Sequence, residues 1–237
     1  MTVTINKVFS KDIANKIAHY ISENGITDNE PYSNSPFRGS ISLSDILTID
    51  ETFNNTIQNI IKKHLDGEFH IVSISCHFKD KWLGAEEHWH QDYLYNGLIY
   101  DGKPNDFYRL FIAIDNHTRD NGCLLTINNS SKQLEHNKIL NIHGQQKYRI
   151  KSFELDKLYS EYGVQYNEIL AGQAVLFSSL VPHGSCSNQT PAPRKAITVQ
   201  LIRKDVKKYL EKDLNEVKAD RRLFEIEELN ARVKLKR

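Results

Sequence analysis

The chain has 237 residues, with 31 Lys and Arg against 30 Asp and Glu and a formal net charge of +1. This length suits a single domain with a sizeable core, and the balanced charge argues against a nucleic-acid partner, which usually demands a basic surplus. No apolar run approaches the ~18 residues of a transmembrane helix, and the N-terminus lacks a signal-like apolar segment, so we expect no membrane partner. Three cysteines without a C-x-x-C pair argue against a disulfide framework and favour a cytoplasmic location.

The first part of the chain, about residues 1–66, is predicted to be mainly helical. Isoleucines at helical spacing follow Ser10, a residue type typical of helix N-caps, and Gly25 is a suitable C-terminal stop. Residues 31–43 are rich in Ser, Pro and Asn and predict a loop. A second amphipathic helix is predicted over about 52–65.

The middle of the chain, about residues 68–203, is predicted to be a β-rich core. Several stretches are dense in β-branched and aromatic residues and bounded by turn residues, as strands usually are; they are residues 68–79, 108–115, 123–128, 174–179 and 196–203. Strands after two helices favour a mainly β fold, a sandwich or barrel with flanking helices. A charged stretch over about 205–237 predicts a C-terminal helical extension, which packs on its own domain or forms a homodimer.

Two histidines and one aspartate have the pattern of a metal site. His90 and Asp92 are two residues apart, which in a strand directs both side chains to one side, and His183 follows an apolar strand. Two imidazoles and one carboxylate leave three open positions on octahedral Fe(II), the arrangement of non-haem iron oxygenases. A buried His–Asp hydrogen bond is the alternative, since the H-x-D pattern alone is weak.

A cation follows the second histidine at a useful distance. Arg194 lies eleven residues after His183, just before the last predicted strand. A guanidinium binds a carboxylate through two hydrogen bonds, and a nearby hydroxyl can donate one more. Arg194 could thus be carried on a rigid strand beside the metal, where it could bind a carboxylate.

Four segments together resemble the phytanoyl-CoA dioxygenase family of Fe(II)/2-oxoglutarate oxygenases, in the order of that family. The segments are HQD (90–92), DNGCL (120–124), LAGQAVLF (170–177) and HGSCSNQTPAPR (183–194). The resemblance implies a double-stranded β-helix, the jelly roll also found in cupins. The chain departs from the family at Asn128–Lys132, where a Pro-Gly-Ser-His-like turn is common, and this departure bears on the substrate class.

The resemblance also implies roles for particular residues. The iron ligands would be His90, Asp92 and His183. The 5-carboxylate of 2-oxoglutarate would pair with Arg194, with Ser185 assisting and Phe111 lining the co-substrate pocket.

The implied reaction is hydroxylation of an unactivated C–H bond of a small molecule by O2 and 2-oxoglutarate, with release of succinate and CO2. In related halogenases a small residue replaces the carboxylate ligand, so the presence of Asp92 favours hydroxylation. The same cofactors also support cyclisation, desaturation or epimerisation. Further alternatives are a cupin-like metal enzyme without 2-oxoglutarate and a non-catalytic jelly-roll binding module.

The segment between the first ligands and the next strand bears on the substrate. In residues 93–108, Tyr95 and Tyr100 either wall a substrate pocket or pack the loop on the barrel rim. Arg109 has the strand parity of Phe111, so it is expected to face inward and bind either a substrate carboxylate or an internal Asp. We expect a free amino acid, natural-product intermediate or acyl compound rather than a CoA thioester.

Three further histidines in polar stretches are predicted to be exposed to solvent. They are His117, His136 and His143.

Overall fold

The computed structural model describes residues 2–24, 37–82, 86–97, 99–128, 132–140 and 146–208. The helices are α1 (Lys11–Glu23), α2 (Leu43–Ile49), α3 (Phe53–His64), α4 (Tyr93–Asn96) and α5 (Ser152–Tyr162). The strands are β1 (Thr2–Ile5), β2 (Phe37–Ser40), β3 (Phe69–Lys79), β4 (Glu87–His90), β5 (Tyr100–Asp101), β6 (Phe107–Ala113), β7 (Leu124–Thr126), β8 (His136–Leu140), β9 (Gln146–Ile150), β10 (Gln165–Asn167), β11 (Ala174–Ser178), β12 (His183–Ser185), β13 (Arg194–Arg203) and β14 (Lys207–Lys208).

Two antiparallel sheets form the core. The major sheet has the strand order β1-β11-β6-β13-β3-β2, and the minor sheet has the order β10-β7-β12-β4. The jumps in this order mean that each sheet joins strands distant in sequence, as in a jelly roll. The predicted mainly β, jelly-roll fold with flanking helices is confirmed.

The three N-terminal helices cover one face of the major sheet. Their isoleucines and Phe53 share one apolar cluster with β3, β6, β11 and β13. Along β3 the buried Ile74, Cys76 and Phe78 belong to this cluster, whereas Ser75 and His77 face the cavity between the sheets. Because alternate residues of a strand point to opposite faces, the helices fix which face of the sheet lines the site.

The predicted helix starts and ends are largely confirmed. The hydroxyl of Ser10 accepts a hydrogen bond from the N–H of Ile13 at 3.2 Å, as expected for an N-cap. The first helix ends at Glu23, and Gly25 lies outside the described residues. The second predicted helix spans Phe53–His64.

The prediction of a continuous loop over 31–43 is wrong at its C-terminal end. Phe37–Ser40 forms an edge strand that pairs with β3, and a further helix begins at Leu43. Ser42 and Asp45 form a capping box, with the Asp45 N–H donating to the Ser42 hydroxyl at 3.0 Å. Ser is typical of helix N-caps as well as of loops, so the sequence did not separate the two at Ser42. The strand β2 depends on its pairing with β3, which is distant in sequence.

The C-terminal prediction is tested only at its start. Residues 207–208 form a short strand that pairs with β5 rather than a helix. Residues 209–237, which carry the predicted helical extension and its homodimer, lie outside the described residues. No helix among the described residues has the length and apolar character needed to cross a membrane.

Candidate iron and co-substrate site

The two histidines of the triad meet because their strands are neighbours. His90 on β4 lies directly opposite His183 on β12 in an antiparallel register. Asp92 follows β4 and occupies the helical turn that begins α4, with φ −65° and ψ −23°. It therefore reaches the histidines from a helical turn, so the strand-parity argument for Asp92 was wrong. One ligand atom from each of the three lies within 4.8 Å of the others.

The imidazoles are held with the same nitrogen facing inward. His90 Nδ1 lies 2.7 Å from the carbonyl oxygen of His88, and His183 Nδ1 lies 2.9 Å from that of Val181. An Nδ1–H that donates to each carbonyl leaves Nε2 as an acceptor, which is how metal-ligating histidines are usually oriented. Each Nε2 lies 3.8 Å from an oxygen of Asp92. This donor set suits Fe(II) with open positions.

Charges around the triad keep the ligand atoms in their metal-binding protonation states. Burial opposes ionisation of Asp92, but Arg109, His183 and His90 outweigh it and hold the pKa of its carboxyl well below the usual range. Burial, together with the neighbouring His90, lowers the pKa of His183 to about 4. At neutral pH the site therefore offers a carboxylate and a neutral His183.

Arg109 faces inward, as its strand parity predicted. Its Nε donates to Asp92 Oδ2 at 2.7 Å, and both side chains are largely buried. Of the two partners considered from the sequence, the structure has the internal Asp. Arg109 also lines the cavity, but its described ion pair is with Asp92 of the candidate triad.

Arg194 begins β13 and is fully buried at the same cavity. Its Nη2 donates to the carbonyl of Gly122 at 2.9 Å, whereas Nε and Nη1 have no hydrogen-bond partner among the described residues. Its guanidinium carbon lies 5.7 Å from the ring centre of Phe111, and burial lowers its pKa to about 10. Buried guanidinium donors without acceptors are costly, and a carboxylate at the cavity wall would satisfy them. Ser185, buried on β12, lines the same cavity.

The two tyrosines proposed as pocket walls differ in position. Tyr95 lines the cavity, its ring centre lies 6.0 Å from that of His90, and its hydroxyl accepts from the N–H of Tyr148 at 2.9 Å. Tyr100 is not among the residues that line this cavity. Its ring packs against Phe107, with ring centres 6.1 Å apart, which is the loop-packing alternative.

The cavity between the sheets has a volume of about 450 Å³, and all three triad residues line it. Several polar residues that line the cavity were not predicted from the sequence: Ser75, His77, Glu87, Lys147, Thr198 and Gln200. Thr198 and Gln200 on β13 could have been found from strand parity with Arg194, whereas Ser75 and His77 on β3 depend on the register between the two strands. No signal pointed to Lys147, because the hairpin of β8 and β9 was not predicted.

The exposed-histidine predictions were wrong where they can be tested. His117 is buried, its Nε2 lies 3.0 Å from the carbonyl of Lys195, and its ring contacts Phe111. His136 is half-buried on β8. His143 lies outside the described residues. Polar neighbours in sequence did not reveal that β-sheet neighbours bury these rings.

Residues 12–196 match the profile of a known family, phytanoyl-CoA dioxygenase (PhyH). The chain belongs to the phytanoyl-CoA dioxygenase family. The family assignment predicted from the four sequence segments is thus confirmed, as is the enzyme class: a 2-oxoglutarate-dependent non-haem iron oxygenase that uses Fe(II), 2-oxoglutarate and O2. No curated protein matches the sequence.

Solved structures share the fold. EctD from S. alaskensis, crystallised with 2-oxoglutarate and 5-hydroxyectoine, is 17% identical with a TM-score of 0.64, over 85% of this chain and 72% of that one. EvdO2 from Micromonospora carbonacea var. aurantiaca, complexed with 2-oxoglutarate, is 15% identical with a TM-score of 0.71, over 89% of each chain. The non-haem monooxygenase ThoJ in its apo form is 17% identical with a TM-score of 0.61, over 87% of this chain and 75% of that one.

Proposed function

We propose that this protein hydroxylates an unactivated C–H bond of a small molecule, with His90, Asp92 and His183 as its iron ligands. The observation that carries the proposal is the convergence of these ligand atoms within 4.8 Å of one another at the wall of one cavity. The two Nε2 atoms are acceptors in the assigned tautomers, and Asp92 is ionised. A bound Fe(II) ion with 2-oxoglutarate would supply O2 activation, so that one oxygen atom enters the substrate and the other enters succinate as CO2 leaves.

The co-substrate would be oriented by Arg194 and Ser185. Arg194 offers two buried donors without described partners, Nε and Nη1, and a terminal carboxylate is a good acceptor for both. Gly122 holds the third nitrogen in place. Phe111 lies under the guanidinium and beside the cavity, where it would limit the water that reaches the co-substrate.

Other residues of this chain would hold the ligands rather than react. Arg109 fixes one oxygen of Asp92. Gln91 is fully buried; its amide donates to the carbonyl of Leu180, and its oxygen accepts from the N–H of Leu134 at 2.8 Å. Gln91 thereby ties the first ligand segment to the turn before His183.

Anaerobic titration of the apo-protein with Fe(II) and then 2-oxoglutarate tests the proposal. We expect a weak visible metal-to-ligand charge-transfer band that requires both additions. His183→Ala should abolish the band because the triad is incomplete. Arg194→Ala should raise the 2-oxoglutarate concentration needed for half the band by about ten- to a hundredfold, the usual cost of a lost charged hydrogen bond.

The matched control is Arg119→Ala, which removes an exposed guanidinium stacked on Tyr166. This variant should titrate like the wild type. A folded, iron-loaded wild type without the band, or a band unchanged in His183→Ala, would reject the assigned roles. Product analysis with an active substrate would separate hydroxylation from cyclisation, desaturation and epimerisation.

A further inference from the structure

One buried ion pair in the cavity makes no described side-chain hydrogen bond with the triad residues or with Arg194. Lys147 Nζ lies 3.0 and 3.1 Å from the two carboxylate oxygens of Glu87. Both side chains line the cavity, with only 17% and 19% of their surfaces exposed. Burial raises the pKa of Glu87, but His90 and Lys147 more than offset this effect, so the net pKa is lowered and the carboxylate is ionised.

This pair retains unused hydrogen-bonding capacity. An ammonium has three N–H donors and a carboxylate accepts about four hydrogen bonds, yet the described contacts of Lys147 Nζ and the Glu87 oxygens are with each other. Taking two charges out of water is expensive unless their remaining donors and acceptors are satisfied. A ligand in the cavity that carries both charges would satisfy them.

The other charged groups in the cavity have different tasks. Asp92 is paired with Arg109 and belongs to the triad, and Arg194 is assigned to the co-substrate. Among the described lining residues, the Glu87–Lys147 pair is therefore the pair of opposite charges that has not been assigned to the triad or to the co-substrate. Glu87 is on the same strand as His90 and lies opposite Ser185, so a molecule held there shares the cavity with the metal site.

The space available limits the size of that molecule. The cavity volume of about 450 Å³ is near the lower end of typical small-molecule sites, about 300–1,000 Å³. It must hold 2-oxoglutarate as well, which leaves room for a molecule of amino-acid size.

We propose that Glu87 and Lys147 form the substrate-recognition site and that the substrate is a small zwitterion of the amino-acid type. Its ammonium binds Glu87 and its carboxylate binds Lys147, so one ion pair is exchanged for two. This inference rests on the proposed function and names its substrate class.

Contacts other than this ion pair also hold the hairpin that carries Lys147, so we expect it to form in the variants. On β9, Ile150 is buried in an apolar cluster with Ile127 and Leu134, and the N–H of Tyr148 donates to Tyr95. Lys151 and Glu135 form a second ion pair on the same hairpin at 2.7 Å, exposed to solvent. Lys151→Gln is therefore the matched control.

The test adds zwitterions to the anaerobic Fe(II)·2-oxoglutarate complex and follows the visible band, with succinate release in air as a second readout. The probes are the twenty proteinogenic L-amino acids and ω-amino acids of two to six carbons, each with its N-acetyl and amide derivatives. We expect at least one amino acid to perturb the band with an affinity at least about tenfold above both derivatives.

The variants assign each charge to its partner. Glu87→Gln should remove the preference over the N-acetyl derivative, and Lys147→Gln the preference over the amide, whereas Lys151→Gln should keep both. The double swap Glu87→Lys with Lys147→Glu keeps an ion pair and should still lose at least about tenfold in affinity for the active amino acid.

The result that would overturn the proposal is separable from a failure of the proposed function. If the double swap binds the active amino acid like the wild type, or the derivatives bind equally well, the Glu87–Lys147 pair only stabilises the β8–β9 hairpin and does not recognise the substrate. If no zwitterion perturbs an intact band, the substrate class is wrong. Absence of the band itself would reject the proposed function instead.

Discussion

Asp92 is an ionised side chain in a largely buried position. Its ion pair with Arg109 offsets the free-energy cost of removing the carboxylate from water. The Nε–Oδ2 distance is 2.7 Å, and the two side chains are 17% and 12% exposed. Removing one partner of a buried ion pair leaves the other charge without compensation. In the complete enzyme a divalent cation would supply a second positive charge to the same carboxylate.

Arg109→Gln should therefore destabilise the apo-protein by about 3 kcal/mol, the lower end of the cost of breaking a buried pair. The loss should be smaller with a saturating divalent metal, because the ion restores a positive charge at Asp92. The measurement is the free energy of unfolding in denaturant, with and without the metal.

Arg119→Gln removes an exposed guanidinium whose ion pair with Glu168 spans 3.8 Å and should cost less than about 1 kcal/mol. An equal loss for Arg109→Gln in the apo and metal-bound protein would contradict the account of Asp92.

The residue types of the site were readable from the sequence, but their partners were not. The triad, Arg194, Ser185 and Phe111, all named from the sequence, line one cavity. The inward orientation of Arg109 followed from strand parity, whereas its choice of Asp92 over a substrate did not. The pairing of Glu87 with Lys147 was not predictable from the sequence because 60 positions separate the two residues. They meet through the hairpin of β8 and β9, which was not predicted.

At the scale of elements, the site depends on how closely β4 approaches β12. A Cβ added to Gly184 would lie 2.8 Å from the carbonyl oxygen of Glu87, closer than such atoms normally come. Gly184 stands next to His183, and β4 carries His90. A side chain at this position must therefore push apart the two strands that carry His90 and His183.

Gly184→Ala should lower Fe(II) affinity at least about tenfold, because small misplacements of positioned groups are costly at such sites. The overpacked contact should also cost about 1–3 kcal/mol of stability. Gly97→Ala is the control: its added Cβ would lie 3.3 Å from the Tyr93 carbonyl, a contact that small shifts relieve. Wild-type iron affinity in a folded Gly184→Ala would show that the strand spacing does not govern the site.

Elements with a strong periodic or continuous pattern of apolar residues were predictable from the sequence. Elements that depend on pairing with a segment distant in sequence were not. The isoleucine spacing of α1 and α3 and the apolar runs of β6, β11 and β13 gave these elements within a few residues. The edge strand β2 exists through its pairing with β3. Helix α5 has one buried apolar residue, Leu158, so its periodic signal is weak.

At the scale of the molecule, the jelly roll brings site residues that are far apart in the sequence close together in space. The triad residues come from adjacent strands of the minor sheet and the turn after β4, and Arg194 begins a strand of the major sheet. The facing sheets enclose one cavity that is lined both by the three triad residues and by Arg194. Residue types could indicate this arrangement, but the register that sets its distances arises only from tertiary pairing.

Anomalous scattering at the iron edge, from crystals grown anaerobically with Fe(II) and 2-oxoglutarate, tests the assignment of the iron and co-substrate site. We predict one strong iron peak in contact with His90, Asp92 and His183, and 2-oxoglutarate density whose distal carboxylate meets Arg194. An iron peak away from the triad, or a co-substrate whose carboxylate turns from Arg194, would contradict the assignment of the site.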